Sequence, residues 1–325
     1  MKAVVLIGGF GTRLRPLTYS VPKQLILVAG KPLLYHALDL LPDDTEEAIL
    51  ATGYMADRIE SFVRARPPKV PVRTVREETP LGTGGGLRNA AAAGLSDPFI
   101  LLNSDLVAEL DVGAMARRLA ERSGLGVMAL HDVDDPSPYG VALVGGSDRI
   151  LRFVEKPDRA SAPSRSINAG VAVYRRSVVD RIPPGREVSL EREIVPYLIP
   201  DGLYAYPFEG FWEDAGTPSR LLNAQRLLFD HGRGAAGRRP SGVVGSGPLA
   251  VLPGAEVSGA SFGGYVTVGE GARVERGAYL EDCVVMDNAV VERHASVTHS
   301  ILGPKSVVRA GQRADGVVLG EASEL

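Results

Sequence analysis

The 325-residue chain has one cysteine, Cys283, one tryptophan and five histidines. A single thiol excludes an internal disulfide and any multi-cysteine metal cluster, and it suits a reducing compartment such as the cytoplasm. The histidines form no Ser/His/Asp arrangement, so triad chemistry has no support. Charge of one sign is also scarce: 36 Lys and Arg stand against 39 Asp and Glu, a formal net charge of −3. No field is left to gather nucleic acid or a membrane surface. No apolar run approaches the roughly 18 residues of a membrane span, and Ala3 to Ile7 is too short for a signal-peptide core. The expectation is a soluble protein that captures small anions locally. Its 45% apolar content is enough for a core and two domains.

Residues 1–230 alternate short apolar runs with longer amphipathic ones, the pattern of a layered α/β domain with a largely parallel sheet. Strands are expected at 3–7, 47–52, 70–76, 99–102, 127–131, 141–144, 150–154 and 169–174, with helices at 32–41, 54–66, 84–94 and 218–229. Gly and Arg crowd 231–247, which reads as a linker. Over 248–325 helical periodicity disappears and Val-rich rungs recur near every six residues: Val268, Val274 and Leu280, then Val284 with Val290, and Ile301 with Val307. Six-residue rungs imply a parallel β-helix, whose coils are stable only when stacked.

The first strand runs into Gly8-Gly9-Phe10-Gly11-Thr12-Arg13-Leu14, where a parallel strand delivers its carboxyl end. Glycines let backbone N–H groups approach a polyphosphate. The spacing lacks the third glycine of a dinucleotide fingerprint, and no Gly-Lys-Ser/Thr of a Walker loop follows. A cation stands in the loop, Arg13, and a second follows in Val21-Pro22-Lys23-Gln24-Leu25. Together they can neutralise a triphosphate and its pyrophosphate leaving group.

Leu6 through Pro32 resembles the signature of the sugar-1-phosphate nucleotidyltransferases, Gly-Gly-x-Gly-Thr-Arg-Leu-x-Pro-Leu-Thr followed by a Pro-Lys segment. The resemblance extends along the whole chain and is nearest to guanylyltransferases of mannose 1-phosphate that carry a C-terminal left-handed β-helix. It implies a Rossmann-like, mixed but mostly parallel sheet sandwiched by helices, then that β-helix. It also implies a nucleotide cradle at Gly8, Gly9, Gly11 and Thr12, with Arg13 and Lys23 on the triphosphate and α-phosphate. Asp105 and Asp214 each follow an apolar stretch and offer the hard oxygen ligands that Mg²⁺ prefers. They lie in segments resembling the family's two metal-binding stretches, with Glu213 beside Asp214 a spectator or ligand.

Glu155-Lys156 precedes Pro157 at a strand end, where alternation points the two side chains apart and predicts no ion pair between them. The resemblance places Glu155 on sugar hydroxyls and Lys156 on the sugar phosphate. Gly140, Asn168 and Gly170 complete the sugar side. Arg76 to Gly84 resembles the base-recognition loop, with Gly82 against the nucleobase. Guanine presents two adjacent donors that one carboxylate can accept together, so Glu77 or Glu78 favours GTP, whereas uracil or thymine suits an amide. Gln24 resembles thymidylyltransferases instead, and Thr83-Gly84-Gly85-Gly86 resembles uridylyltransferases of amino-sugar phosphates. A noncatalytic NDP-sugar-binding subunit is the rival class, opposed by the intact Arg13, Lys23, Asp105, Lys156 and Asp214. The β-helix, with His294 and His299, reads as a surface for homo-oligomerisation or allosteric contact rather than a second active site.

Overall fold

The computed structural model describes residues 1–235, 240 and 242–325; residues 236–239 and 241, inside the expected linker, lie outside the described residues. Packing divides the chain into two compact units. The first comprises Met1–Gly9, Ala37–Ser104 and Ala108–Trp212; the second comprises Phe10–His36, Asp105–Val107 and Glu213–Leu325. Among the described residues no helix is long and apolar enough to cross a membrane.

The first unit is built on β1 (Lys2–Ile7), β2 (Glu47–Thr52), β3 (Val72–Arg76), β4 (Phe99–Asn103), β5 (Gly126–Asp132), β6 (Gly140–Val144), β7 (Ile150–Glu155), β8 (Ser166–Tyr174) and β9 (Leu203–Pro207). The main path runs β7-β6-β8-β4-β1-β2-β3, with β5 joined to β8 and β9 to β5. Strands β4, β1, β2 and β3 are mutually parallel, whereas β8 is antiparallel to β4, β5 and β6. β1 is an unbroken apolar run because both its faces are covered. Its carboxyl end lies beside that of β4, Leu6 opposite Asn103, and Ser104 Oγ donates to Leu6 O at 2.7 Å.

Between the first strands lie α1 (Leu33–Leu38), α2 (Ala56–Ala65), α3 (Gly82–Ala91) and α4 (Val112–Ala120). The sequence reading passed over α4, whose start is marked only by Asp111, its Oδ1 accepting from Ala114 N at 2.8 Å. Helix α3 starts two residues before the expected Gly84 and stops short of Gly94, whose positive φ of 89° terminates the helical conformation.

In the second unit the rungs stack in parallel one full coil apart, Val266 on Cys283 and Tyr279 on Ser296. That repeat is about three six-residue sides, which is why the sequence period is near six. Pairing begins inside the stretch read as linker, with Val244–Gly245 on Ser261–Phe262. A core of Phe262, Val266, Leu280, Val285, Val297 and Leu302 runs along the interior. Helix α5 (Pro218–Asp230) packs on these rungs. Its fully buried Gln225 accepts from Thr267 Oγ1 at 2.7 Å and Ala29 N at 3.3 Å, and donates to Tyr265 O at 2.9 Å and Cys283 O at 3.2 Å. The segment around Ala29 is thereby tied to the β-helix. Packing thus assigns Phe10–His36 and α5 to the same unit as the rungs, a division different from the one at 230 and 248.

Candidate active site

In the second unit, Gly11 adopts φ 59° and its carbonyl accepts from Leu14 N at 2.9 Å and Thr18 Oγ1 at 2.8 Å. This tight turn presents Thr12 and Arg13, both exposed, and leads to Lys23, which is only 8% exposed. The Lys23 ammonium donates to Asp105 Oδ2 at 2.6 Å and stands 3.7 Å from Asp214 Oδ1. The two aspartates are tied through the main chain, Ala215 N donating to Asp105 O at 2.9 Å. Asp214 Oδ1 is buried without a hydrogen-bond partner. Burial, then the neighbouring Asp105 charge, push the Asp214 carboxyl above its ordinary pKa, against the pull of Lys23, Arg13 and Arg220.

Two carboxylates around one cation, one of them with an orphaned buried oxygen, are a donor set of the kind a hard divalent ion takes. Among the described residues no group of three or more metal-ligating side chains occurs, so such an ion would draw its remaining ligands from water and phosphate. A Cβ built on Gly216 would come within 2.5 Å of Arg13 Nη2 and 2.9 Å of Asp214 Oδ1. The glycine is what lets the guanidinium lie beside the aspartate. Sequence reasoning missed Gly216, and also Asn223, whose amide donates to Glu213 Oε2 at 2.6 Å.

The first unit holds Gly8, Gly9 and the residues expected on base and sugar. Gly8 and Gly9 are exposed at the end of β1, Gly9 with φ 97°. Glu77 is half-buried at the end of β3, and its Oε2 accepts from Leu81 N at 3.1 Å. Burial raises its carboxyl above the ordinary glutamate range, with that hydrogen bond opposing. The start of α3, from its N-cap Leu81 to Gly85, is held by main-chain bonds: Gly84 N to Val188 O at 2.9 Å and Val188 N to Leu81 O at 2.8 Å. Gly82 has φ 71° and a Cβ there would strike Val188 O at 2.6 Å.

Glu155 pairs across the strands with Gly140, where a Cβ would meet Glu155 Oε2 at 2.8 Å. Burial, then the charge of Glu191, raise the Glu155 carboxyl. The expectation that Glu155 and Lys156 form no ion pair is corrected: Lys156 Nζ lies 3.5 Å from Glu155 Oε1. The strand ends at Glu155 and Lys156 turns to φ 50°, so strand alternation no longer separates the side chains. Asn168 Oδ1 accepts from Gly170 N at 3.0 Å in a bulge of β8, where Gly170 takes φ 80°.

Two further features were unread. Glu191 Oε2 accepts from Thr83 Oγ1 at 2.6 Å and from Ser189 Oγ at 3.2 Å, joining the base loop to the acid next to Glu155. The single tryptophan, Trp212, donates to Ala169 O at 2.9 Å and takes Tyr139 edge-on at 5.3 Å. Neither has a local sequence signal, since each depends on contacts between distant segments.

The chain belongs to the nucleotidyltransferases: residues 2–231 match the nucleotidyl transferase family and residues 246–325 match the GMPPB C-terminal domain. Its relatives are more particular. The chain is 37% identical to a probable mannose-1-phosphate guanylyltransferase 1 of Oryza sativa subsp. japonica over 332 residues, 99% of this chain and 91% of that protein. It is 37% identical to the mannose-1-phosphate guanylyltransferase of Mycobacterium tuberculosis over 296 residues, 88% of this chain and 79% of the other. Among solved structures, HddC from Yersinia pseudotuberculosis complexed with GMP-PN is similar at TM-score 0.59 and 27% identity, covering 69% of this chain and 97% of that one. A putative glucose-1-phosphate thymidylyltransferase from Bacillus anthracis shares the fold at TM-score 0.62 and 24% identity, over 71% of this chain and 96% of the other.

Proposed function

We propose that the chain condenses GTP with mannose 1-phosphate to GDP-mannose and pyrophosphate, with Mg²⁺ held by Asp105 and Asp214. The observation that carries this reading is Lys23 set between those two carboxylates, 2.6 and 3.7 Å away, with Arg13 beside Asp214 across Gly216. The relatives named as guanylyltransferases support the choice of base and sugar.

The sugar phosphate is itself the nucleophile, so the reaction needs alignment and charge neutralisation rather than a protein nucleophile. Its oxygen attacks the α-phosphorus in line, and the bond to the β-phosphate oxygen breaks as pyrophosphate leaves. Mg²⁺ when bound supplies charge neutralisation on phosphate oxygens. Lys23 offsets charge at the α-phosphate. Arg13 and the N–H groups of Gly8, Gly9, Gly11 and Thr12 take the pyrophosphate. Lys156 holds the sugar phosphate, while Glu155, Asn168 and the backbone at Gly140 and Gly170 take hydroxyls. Glu77 accepts from guanine N1–H and the 2-amino group, with the Gly82 backbone against the base. Gln24, the residue resembling thymidylyltransferases, is buried.

We place the enzyme in the cytoplasm, consistent with its one free and buried cysteine, and assign self-association to the β-helix. The reaction is tested in reverse, with labelled pyrophosphate and GDP-mannose, UDP-glucose or dTDP-glucose. GTP formed from GDP-mannose alone is expected, falling about 10²-fold or more in Asp214→Ala. Undiminished turnover in that variant removes Asp214 from the metal site.

A further inference from the structure

Away from these residues, the first unit carries a cavity of about 390 Å³ lined by Arg181, Arg186, Arg192, Glu193, Tyr197 and the apolar edges of Pro183 and Ile194. Three arginines contribute to its lining. Arg181 pairs with Asp201 at 2.6 Å and Arg186 with Glu193 at 2.7 Å, both pairs at the surface. Arg192 makes no ion pair within 4 Å among the described residues, and its charge pulls against the rise of the Glu155 carboxyl. The pocket therefore keeps a positive excess, and the Tyr197 ring stands 72% exposed at its edge. One wall is a π-helical turn, Leu190–Ile194, a rare geometry that recurs at functional sites.

The wall leads directly to the base loop. Glu193 Oε2 accepts from Arg186 in the pocket, while its Oε1 accepts from Ser189 N at 2.9 Å. The residue before Ser189 is Val188, whose carbonyl holds the N–H groups of Gly84 at 2.9 Å and Gly85 at 3.4 Å. Leu190 N donates to Thr83 Oγ1 at 2.9 Å. An anion that draws Arg186 off Glu193 changes the restraint on the Val188–Ser189 segment that holds the start of α3. Guanidiniums in a forked array are suited to a phosphate group, whose oxygens they bind in pairs.

We propose that this pocket is a second anion site, taking the phosphate group of a small phosphorylated metabolite, and that its occupancy is transmitted through Glu193 to the start of α3 at Leu81–Gly86. The site is distinct from the residues assigned to the triphosphate and to the sugar phosphate. The proposal concerns binding and loop restraint, so its outcome is separate from whether the base is guanine.

The test is calorimetric titration of inorganic phosphate and of glucose 6-phosphate into the full-length wild type, Arg181→Gln, Arg181→Lys and Tyr197→Ala. Loss of one charge-assisted contact is expected to weaken binding on the order of tenfold in Arg181→Gln, with Arg181→Lys retaining most of it. Weakening of glucose 6-phosphate but not phosphate by Tyr197→Ala identifies an organic ester as the ligand; equal affinities of the two ligands in both wild type and Tyr197→Ala identify the free anion. In the wild type, amide exchange at Gly84 and Gly85 changes when the site fills. Absence of binding, or isotherms identical in wild type and Arg181→Gln, overturns the site. Binding without any change in exchange overturns the transmission to the loop.

Discussion

Three of the carboxylates assigned to the site each lie over a glycine. A Cβ on Gly86 would come 2.5 Å from Glu77 Oε1, on Gly140 2.8 Å from Glu155 Oε2, and on Gly216 2.9 Å from Asp214 Oδ1. Each separation is shorter than real Cβ contacts, so a side chain at any of these glycines would force its acid to shift. Gly140→Ala is expected to displace Glu155 and raise the KM for the sugar phosphate about tenfold, with a smaller effect on the KM for the nucleotide. Equal kinetics in the variant and wild type would show that Glu155 needs no such room. Glu77 allows a second check, through pH. Its folded pKa is raised by burial, so the stability it contributes is present below the ordinary glutamate pKa of 4.5 and is lost as pH rises through the folded value. Glu77→Gln removes that loss. Its thermal midpoint should exceed that of the wild type at pH 7, and the difference should vanish toward pH 4; a difference independent of pH contradicts the assignment. The acids themselves were legible in the sequence, because each ends a recognisable strand motif. The contacts between acid and glycine were not, since Gly140, itself read as a sugar-side residue, reaches Glu155 only through the register of an antiparallel pair. The Glu155–Lys156 ion pair shows the same limit: strand alternation was applied one residue past the end of the strand.

At the level of elements, helix α5 does more than close the chain. Its N-terminus is set by Thr217, whose hydroxyl accepts from Arg220 N at 3.3 Å. Its polar residues reach the acidic stretch before it, through Asn223 to Glu213 and Arg220 toward Asp214, with 3.7 Å between the charged atoms. Gln225 on the same helix gathers four polar atoms from the Ala29 segment and the β-helix. Gln225→Leu leaves these buried groups unpaired and is expected to lower stability by about 3 kcal/mol, read from the urea midpoint. A change near zero would mean that water replaces the amide. The apolar side of α5 was readable from periodicity, and its start from Thr217-Pro218. A glutamine at a fully buried position cannot be told from a surface glutamine by sequence pattern, since its partners lie up to 196 residues away. The β-helix was legible for the opposite reason: each coil repeats the same local pattern, so its contacts recur in the sequence.

The largest scale concerns how the chain is apportioned. The residues assigned to metal and triphosphate charge, Arg13, Lys23, Asp105 and Asp214, fall in the unit that contains the β-helix, whereas Glu77, Glu155, Lys156 and Asn168 fall in the unit built on the mixed sheet. Composition marks the change to rungs after residue 248 but cannot reveal that residues 10–36 pack with them. Truncation after residue 245 should therefore abolish soluble, active protein rather than release a working catalytic domain; near-normal kcat in the truncated chain would contradict this. The central claim is the reaction itself, and it is tested most directly by pyrophosphate release with Mg²⁺ over a grid of GTP, dTTP, UTP, ATP and CTP against mannose, glucose and N-acetylglucosamine 1-phosphates. Turnover concentrated in the pair GTP and mannose 1-phosphate is the predicted result, and a different preferred pair, or none, contradicts it.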